Sequence, residues 1–238
     1  MKNLSFRKVC FPLALLMTLG AQSLIAQENG VKSKRPYSSQ TYFSFGAGMS
    51  FLSGTQDQFY QDGHSNVQIG FMKEFPATQR VSWVAGLELE RLTYSLDFFP
   101  EEGEGGKRFI PAPDGVKYTR IFQNSLNLSA QTRIYFKDNS SEQSSNIFLQ
   151  AGFRAGYNLS TTFSYRESSA QESINLSEIT QPINLQAEFL LGFKGAYFDK
   201  LAILNSSSFG LIYQFNNPWS AGNVGNVKPI HLTWRFLF

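Results

Sequence analysis

Hydrophobic and polar residues alternate along most of this chain, in eight blocks separated by polar, Gly-rich or Pro-containing breaks. The first block sets Phe43, Phe45, Ala47, Met49 and Phe51 against Ser44, Gly46, Gly48 and Ser50. A shorter second one sets Val67, Ile69 and Phe71 against Asn66, Gln68 and Gly70. The third runs from Val81 through Trp83, Ala85 and Leu87 to Leu89, the fourth from Leu126 to Phe136, the fifth from Ile147 to Tyr157 and the sixth from Ile183 to Phe193. The seventh is clear only late, in Phe209, Leu211, Tyr213 and Phe215, and the eighth ends the chain with Ile230, Leu232, Trp234, Phe236 and Phe238. Successive side chains of a strand point to opposite faces of its sheet, so each block predicts a strand with one greasy and one polar side. Helical periodicity appears nowhere with comparable strength.

Alternation does not say which side faces out. A soluble carrier barrel of the lipocalin type is greasy inside, and a membrane barrel is the reverse. Three features favour the membrane arrangement. The polar side is mostly Gly, Ser, Asn and Gln with little Lys, which suits a crowded interior better than a watery exterior. Connections alternate between long (52–65, 95–117, 161–181, 216–228) and shorter (74–80, 137–145, 199–200), as in barrels with long loops at one end and tight turns at the other. Aromatic residues mark the strand ends (Tyr42, Trp83, Tyr94, Tyr118, Tyr135, Tyr157, Tyr197, Trp234), where they are expected to form interfacial girdles. Most blocks also approach the ~9–11 residues a spanning strand needs, and only a closed barrel leaves no unpaired edge in lipid. The expected fold is therefore all-β: an eight-stranded antiparallel up-and-down transmembrane β-barrel over 41–238. The even strand number puts both ends on one, periplasmic, side. Past Leu89 the apolar positions switch parity, to Leu92, Tyr94 and Leu96, which predicts either a bulge near Arg91 or a stretch of strand protruding above the bilayer.

Composition narrows the setting. Of 238 residues, 42% are hydrophobic and only 16% charged, against ~25% in ordinary soluble domains. A mean hydropathy of −0.22 is too polar for a bundle of membrane helices. The start of the chain reads as a secretory signal over 1–26. Lys2, Arg7 and Lys8 precede a short apolar core, Phe11 to Leu19, and small Ala26 precedes the expected cleavage before Gln27. A polar lead, 27–40, would follow in the periplasm. Taking those three cations from the 21 basic residues leaves as many as there are acidic ones, so the formal charge of +3 vanishes and no nucleic-acid binder is indicated. The single cysteine, Cys10, leaves with the signal, and with it any disulfide or thiol nucleophile.

The polar sides carry the candidate chemistry. Glu88, Glu90 and Glu188 face the expected lumen with Arg133, Arg154, Lys194 and Arg235. Buried charges persist only when paired, and strand offsets predict that Arg154 pairs with Glu188 at similar depth. An internal polar plug is the favoured reading; a proton or small-ion path is its rival. An interior of eight strands is just wide enough for side chains, so no open pore is expected. His64 falls in a loop and His231 on the lumen side, neither with a second His or Cys at metal spacing, so no metal, cofactor or catalytic site is assigned. The GEGG run, Gly103–Gly106, sits in an external loop rather than on a phosphate-binding turn. The second and last long loops, with Lys107, Arg108, Phe109, Pro111 and Pro113 in one and Pro218 and Trp219 in the other, hold whatever specificity exists for a protein or glycan partner. Arg91 is placed near the outer headgroups, as a lipid-phosphate contact.

The closing HLTWRFLF, with Trp234, Phe236 and terminal Phe238, resembles the final-strand signal by which the barrel-assembly machinery recognises outer-membrane barrels. The Gly-rich FSFGAGMSFLSG and FLQAGFRAGYNL resemble strands of PorT-like outer-membrane β-barrel proteins of Bacteroidota. That resemblance implies the outer membrane of a Gram-negative bacterium, with lipid and lipopolysaccharide around the barrel, and it transfers no activity. The expected role is structural or interactive: envelope integrity, adhesion, or a subunit of a surface or secretion assembly. A narrow channel or transporter, and a barrel-embedded lipid-modifying enzyme, are the alternatives.

Overall fold

The computed structural model describes residues 39–53, 64–95, 98–103, 106–139, 145–167, 170–195, 204–220 and 227–238. The chain divides into Met1–Arg35 and Pro36–Phe238, and every described residue belongs to the second unit. The expected leader, and the polar lead up to Ser38, lie outside the described residues.

Among the described residues eleven strands follow one another: β1 (Gln40–Ser53), β2 (His64–Pro76), β3 (Val81–Ser95), β4 (Phe98–Gly103), β5 (Gly106–Pro111), β6 (Val116–Tyr135), β7 (Asn146–Glu167), β8 (Ala170–Asn175), β9 (Ile183–Lys194), β10 (Ser206–Gln214) and β11 (Lys228–Leu237). Eight of them close on themselves in the order β1-β2-β3-β6-β7-β9-β10-β11, with β11 back on β1 and every neighbour antiparallel. Phe43 and Phe238 exchange backbone hydrogen bonds of 3.1 and 2.9 Å, so the two ends of the barrel sequence meet at one rim.

Burial settles which side is out. Phe71, Leu128, Phe153, Phe189 and Phe209 are among the most exposed residues, while Ser44, Gln68, Asn127, Gln150 and Thr233 are wholly buried. A cylinder greasy outside and polar inside is stable only when its outer surface meets lipid, so the fold is a transmembrane β-barrel. Closure also leaves no wall strand with an unpaired edge. The aromatic girdle needs correction. Trp83, Tyr157 and Trp234 do face outward, but Tyr42, Tyr94 and Tyr135 point inward and are buried. Their parity in the strand fixes them on the lumen side, where Tyr135 reaches Glu74 and Tyr42 and Tyr94 join apolar clusters. Tyr197 lies outside the described residues.

The two rims differ. At one, tight connections join the strands. The β2–β3 turn is closed by Ala77 N–H and Thr78 N–H donating to Val81 O, and the Thr78 hydroxyl oxygen accepts from the amides of Arg80 and Val81. Arg80 pairs with Asp138 at 2.6 Å, which ties this turn to the β6–β7 connection. At the other rim, β6 and β7 run to 20 and 22 residues, about twice what crossing lipid requires. Above the wall, β4 and β5 form a separate hairpin, and β8 pairs with the same edge of β7 that β9 occupies lower down.

The parity switch has an explanation other than a bulge at Arg91. β3 keeps unbroken register with β2 from Ser82 to Leu92 and with β6 along its whole length. Leu92 and Tyr94 simply continue the inward face, where the lining turns from polar to apolar above the bilayer. The register shifts lie between β6 and β7: opposite Asn124 and Ser125, Leu159 is the extra residue of β7.

Candidate functional site: a charged lumen beneath an apolar cap

Inward positions of the wall strands bring together eight charged side chains, each no more than 2% exposed: Glu74, Glu88, Glu90 and Glu188 with Arg133, Arg154, Lys194 and Arg235. Glu74 is the member that sequence reading missed, because it was counted with the β2–β3 turn. β2 runs on to Pro76 and so carries it inward, and the lumen is then balanced, four against four.

The charges fall into two groups. Near the short-turn rim, Arg133 Nη1 lies 3.1 Å from Glu74 Oε2 and its Nε donates to Gln150 at 2.8 Å. Tyr135 donates its hydroxyl proton to Glu74 Oε1 at 2.6 Å. The Arg133 guanidinium also stacks 4.2 Å from the Phe148 ring centre, and Lys194 Nζ stands 5.6 Å from that of Tyr135 and 3.5 Å from Asn139 Oδ1. Deeper in, Arg235 bridges two carboxylates, Glu188 at 2.5 Å and Glu88 at 3.1 Å. Arg154 sits 3.5 Å from both Glu88 and Glu90. Amides and hydroxyls complete the carboxylates: Ser44 on Glu88, Gln68 and Asn127 on Glu90, Gln131 on Glu188.

The expected Arg154–Glu188 pair is therefore replaced. Arg154 opposes Gln186 across β7–β9, one inward position away from Glu188, and it turns to the β3 carboxylates. Arg235 takes Glu188 from the other side. Sequence offsets along two strands say nothing of the other strands, and the true partners come from those: β3 for Arg154 and β11 for Glu188.

Tyr42, Met72, Val84 and Leu237 form a small apolar cluster among the charges, with Met72 on the inner side of Glu74 along β2, and a larger apolar group closes the polar slab above. At the long-loop rim Leu92, Tyr94, Ile121 and Phe163 from the wall pack with Phe98 and Phe109 of the hairpin, Leu176 and Ile179 of the β8–β9 connection, and Trp219 and Val227 of the last loop. Phe109 meets Trp219 edge-on at 5.8 Å, so the two loops singled out for specificity pack on each other. Backbone bonds from Gln181 to Pro218 (2.8 Å) and from Ser220 to Ile179 (2.7 Å) fasten the last loop. Sequence gave that packing only one signal, the large apolar residues in segments otherwise polar. Gly103 and Gly106 of the GEGG run end β4 and begin β5, and Gly106 has φ +104°, a turn conformation that only glycine adopts without strain.

His231 does face the lumen, its Nδ1 3.0 Å from Ser50 Oγ, both buried. His64 is the first residue of β2 rather than a loop residue. Trp234 stacks on Phe236 at 5.5 Å on the outer face and donates to Ser207 Oγ at 2.6 Å, while Phe238 packs 6.3 Å from Phe43. Arg91 points outward and lies over the Phe122 ring, 4.6 Å from its centre. Among the described residues no three of His, Cys, Asp and Glu are grouped to hold a metal ion.

No family model matches the chain, and no curated protein matches it. Among solved structures it is similar to Ail, the attachment invasion locus protein of Yersinia pestis, at 10% identity and TM-score 0.38, covering 85% of this chain and 100% of that one. The same protein in complex with the heparin analogue sucrose octasulfate matches at 9% identity and TM-score 0.38, covering 85% and 100%. Neisserial surface protein A (NspA) matches at 11% identity and TM-score 0.40, covering 84% and 98%.

Proposed function

We propose that this chain is a small outer-membrane β-barrel with a structural or interaction role, exported by a signal cleaved before Gln27 and seated with both ends in the periplasm. The observation that carries the reading is the filled lumen. Open channels keep their lining wet, whereas these eight charges are at most 2% exposed, mutually neutralised and roofed by an apolar cap built from several loops. Such an interior stiffens a cylinder, and the chain beyond the wall strands goes into the cap instead. The cap is the part that would meet a protein or glycan partner, in adhesion or within a surface assembly. The terminal Trp234, Phe236 and Phe238, outward and stacked at the closing seam, suit recognition by the barrel-assembly machinery. Kinship with the PorT-like barrels of Bacteroidota belongs to the same proposal, on the Gly-rich strands of β1 and β7. An enzymatic role is disfavoured by position: Ser50 and His231 lie within the lumen, away from the lipid that a membrane hydrolase would need to reach.

Membrane fractionation with a heat-modifiability gel tests this reading. The expected result is a protein in the outer-membrane fraction that migrates faster before boiling than after. Migration unaffected by boiling, or a soluble pool, contradicts it. Reproducible single-channel steps from the purified protein in a planar bilayer would favour transport.

A further inference from the structure

The outer surface of β3, β6 and β7 changes character at one level. Below it, Leu87 and Leu89, Leu126 and Leu128, and Phe153 and Tyr157 face outward. Just above it, Arg91, Asn124 and Ser160 form a single row across the three strands: Arg91 opposes Asn124, and Asn124 opposes Ser160. Asn124 Nδ2 donates to Ser160 Oγ at 2.9 Å. The Arg91 guanidinium carbon stands over the ring of Phe122, two residues further up β6, 4.6 Å from its centre. Two more residues up the same face stands Arg120, opposite Ser95 and Ser164.

The arginines of the lumen are all paired with carboxylates. Arg91 and Arg120 are exposed and, among the described residues, neither makes an ion pair or a hydrogen bond. This row and the positions above it up to Arg120 carry Asn, Ser, Thr and Phe and no carboxylate. A guanidinium is the side chain best matched to phosphate, and stacking on an aromatic ring holds it ready at little entropic cost. The apolar strip directly below, with Val67 opposing Arg91 from β2, fixes the other half of the occupant. It has acyl chains. Four residues of strand separate Asn124, level with Arg91, from Arg120, about 13 Å. That spacing suits two phosphates set apart on one headgroup better than one phosphate gripped twice.

We infer that Arg91 and Arg120, with Asn124 and Ser160, form a docking site for a diphosphorylated saccharide lipid of the leaflet at the long-loop rim. Its acyl chains lie along Val67, Leu89 and Leu126, and its phosphates sit on the two guanidiniums. The identity of that leaflet rests on the outer-membrane reading above; the site's geometry does not.

The test is a titration of the full mature barrel, in detergent micelles, with diphosphoryl lipid A, monophosphoryl lipid A, a dephosphorylated form and inorganic phosphate, followed by native mass spectrometry. Wild type is expected to bind the diphosphoryl lipid about tenfold or more tighter than the dephosphorylated one, as loss of charge-assisted hydrogen bonds implies. An Arg91→Gln/Arg120→Gln variant is expected to lose that preference. Equal binding of all three lipids by wild type, an unchanged preference in the variant, or inorganic phosphate competing as well as the lipid would each overturn the site. Heat-modifiable migration is recorded first for both proteins. A wild type without it fails the barrel reading itself, whereas a folded barrel blind to phosphate fails only this inference. If the double variant does not fold, the phosphate preference of wild type decides alone.

Discussion

Arg133 shows what one charge demands of its surroundings when water is removed. It keeps its ionisation by meeting Glu74, Gln150 and the Phe148 ring at once. Removing one partner leaves the other buried and uncompensated, which costs about 3–5 kcal/mol, whereas replacing both with apolar residues is often neutral. Glu74→Gln is therefore expected to lower the unfolding free energy in lipid vesicles by an amount in that range. A Glu74→Met/Arg133→Met double variant should recover most of it, a comparison urea titration makes directly. If the single and double variants lose equally, the pair is not the unit that matters. Gly192 is the matching case for space. Phe148 opposes it across β7–β9 and occupies the place of its missing side chain, so that an added Cβ would stand 2.1 Å from the ring. Gly192→Val should displace the ring, disturb its stacking on Arg133 and cost about 1–3 kcal/mol. An unchanged unfolding midpoint would show that the ring has room to move.

The strands were legible because each obeys one rule. β9 matches its alternating block from Ile183 to Lys194, β1 and β2 extend theirs at both ends, and β6 and β7 run well past theirs at the long-loop end. β4, β5 and β8 were not legible, since β4 and β5 rest on shared burial above the barrel and β8 on pairing with β7, none of them on a period of two. Phe109, Phe163 and Trp219 lie far apart in sequence and meet only once the wall has closed. Trp219→Ala would remove the cap's largest side chain, and a loss of about 3–5 kcal/mol is typical for such a truncation. Here it is expected to fall on the cap alone: faster hydrogen exchange in β4, β5 and β8, with heat modifiability intact. Collapse of the whole barrel would mean that cap and wall fold as one. The same elements carry a pH signature. Glu172 accepts the hydroxyl proton of Tyr165 at 2.5 Å and raises its ionisation to about 12. The folded value exceeds the unfolded one of about 10, so this contribution is complete below pH 10 and is lost as pH rises through 12. Glu172→Gln should shift the tyrosinate absorbance titration of Tyr165 downward; an unmoved titration would remove Glu172 from that role.

For the molecule as a whole, the sequence pattern held the wall's construction but not its interior wiring. Period two assigns Ser129, Gln131 and Arg133 to one side and Leu128, Ala130 and Ile134 to the other, and it does so without knowing how strands stack around the axis. Partnerships across the lumen depend on that stacking, which is why Arg154 meets Glu88 and Glu90 and Arg235 meets Glu188. Every later step rests on the orientation of the two sides: the neutral charge network, the cap and the lipid site all require hydrocarbon outside and a filled lumen within. The most direct measurement places a single bimane-labelled cysteine in turn at Leu128, Ser129, Ala130, Gln131, Phe189 and Leu190 of the mature chain, whose sequence after Cys10 has no other thiol, and reads quenching by lipids brominated along the acyl chain. Strong quenching at Leu128, Ala130 and Phe189 with little at Ser129, Gln131 and Leu190 is the predicted result. Quenching of the second set in place of the first, or of neither, would contradict the account.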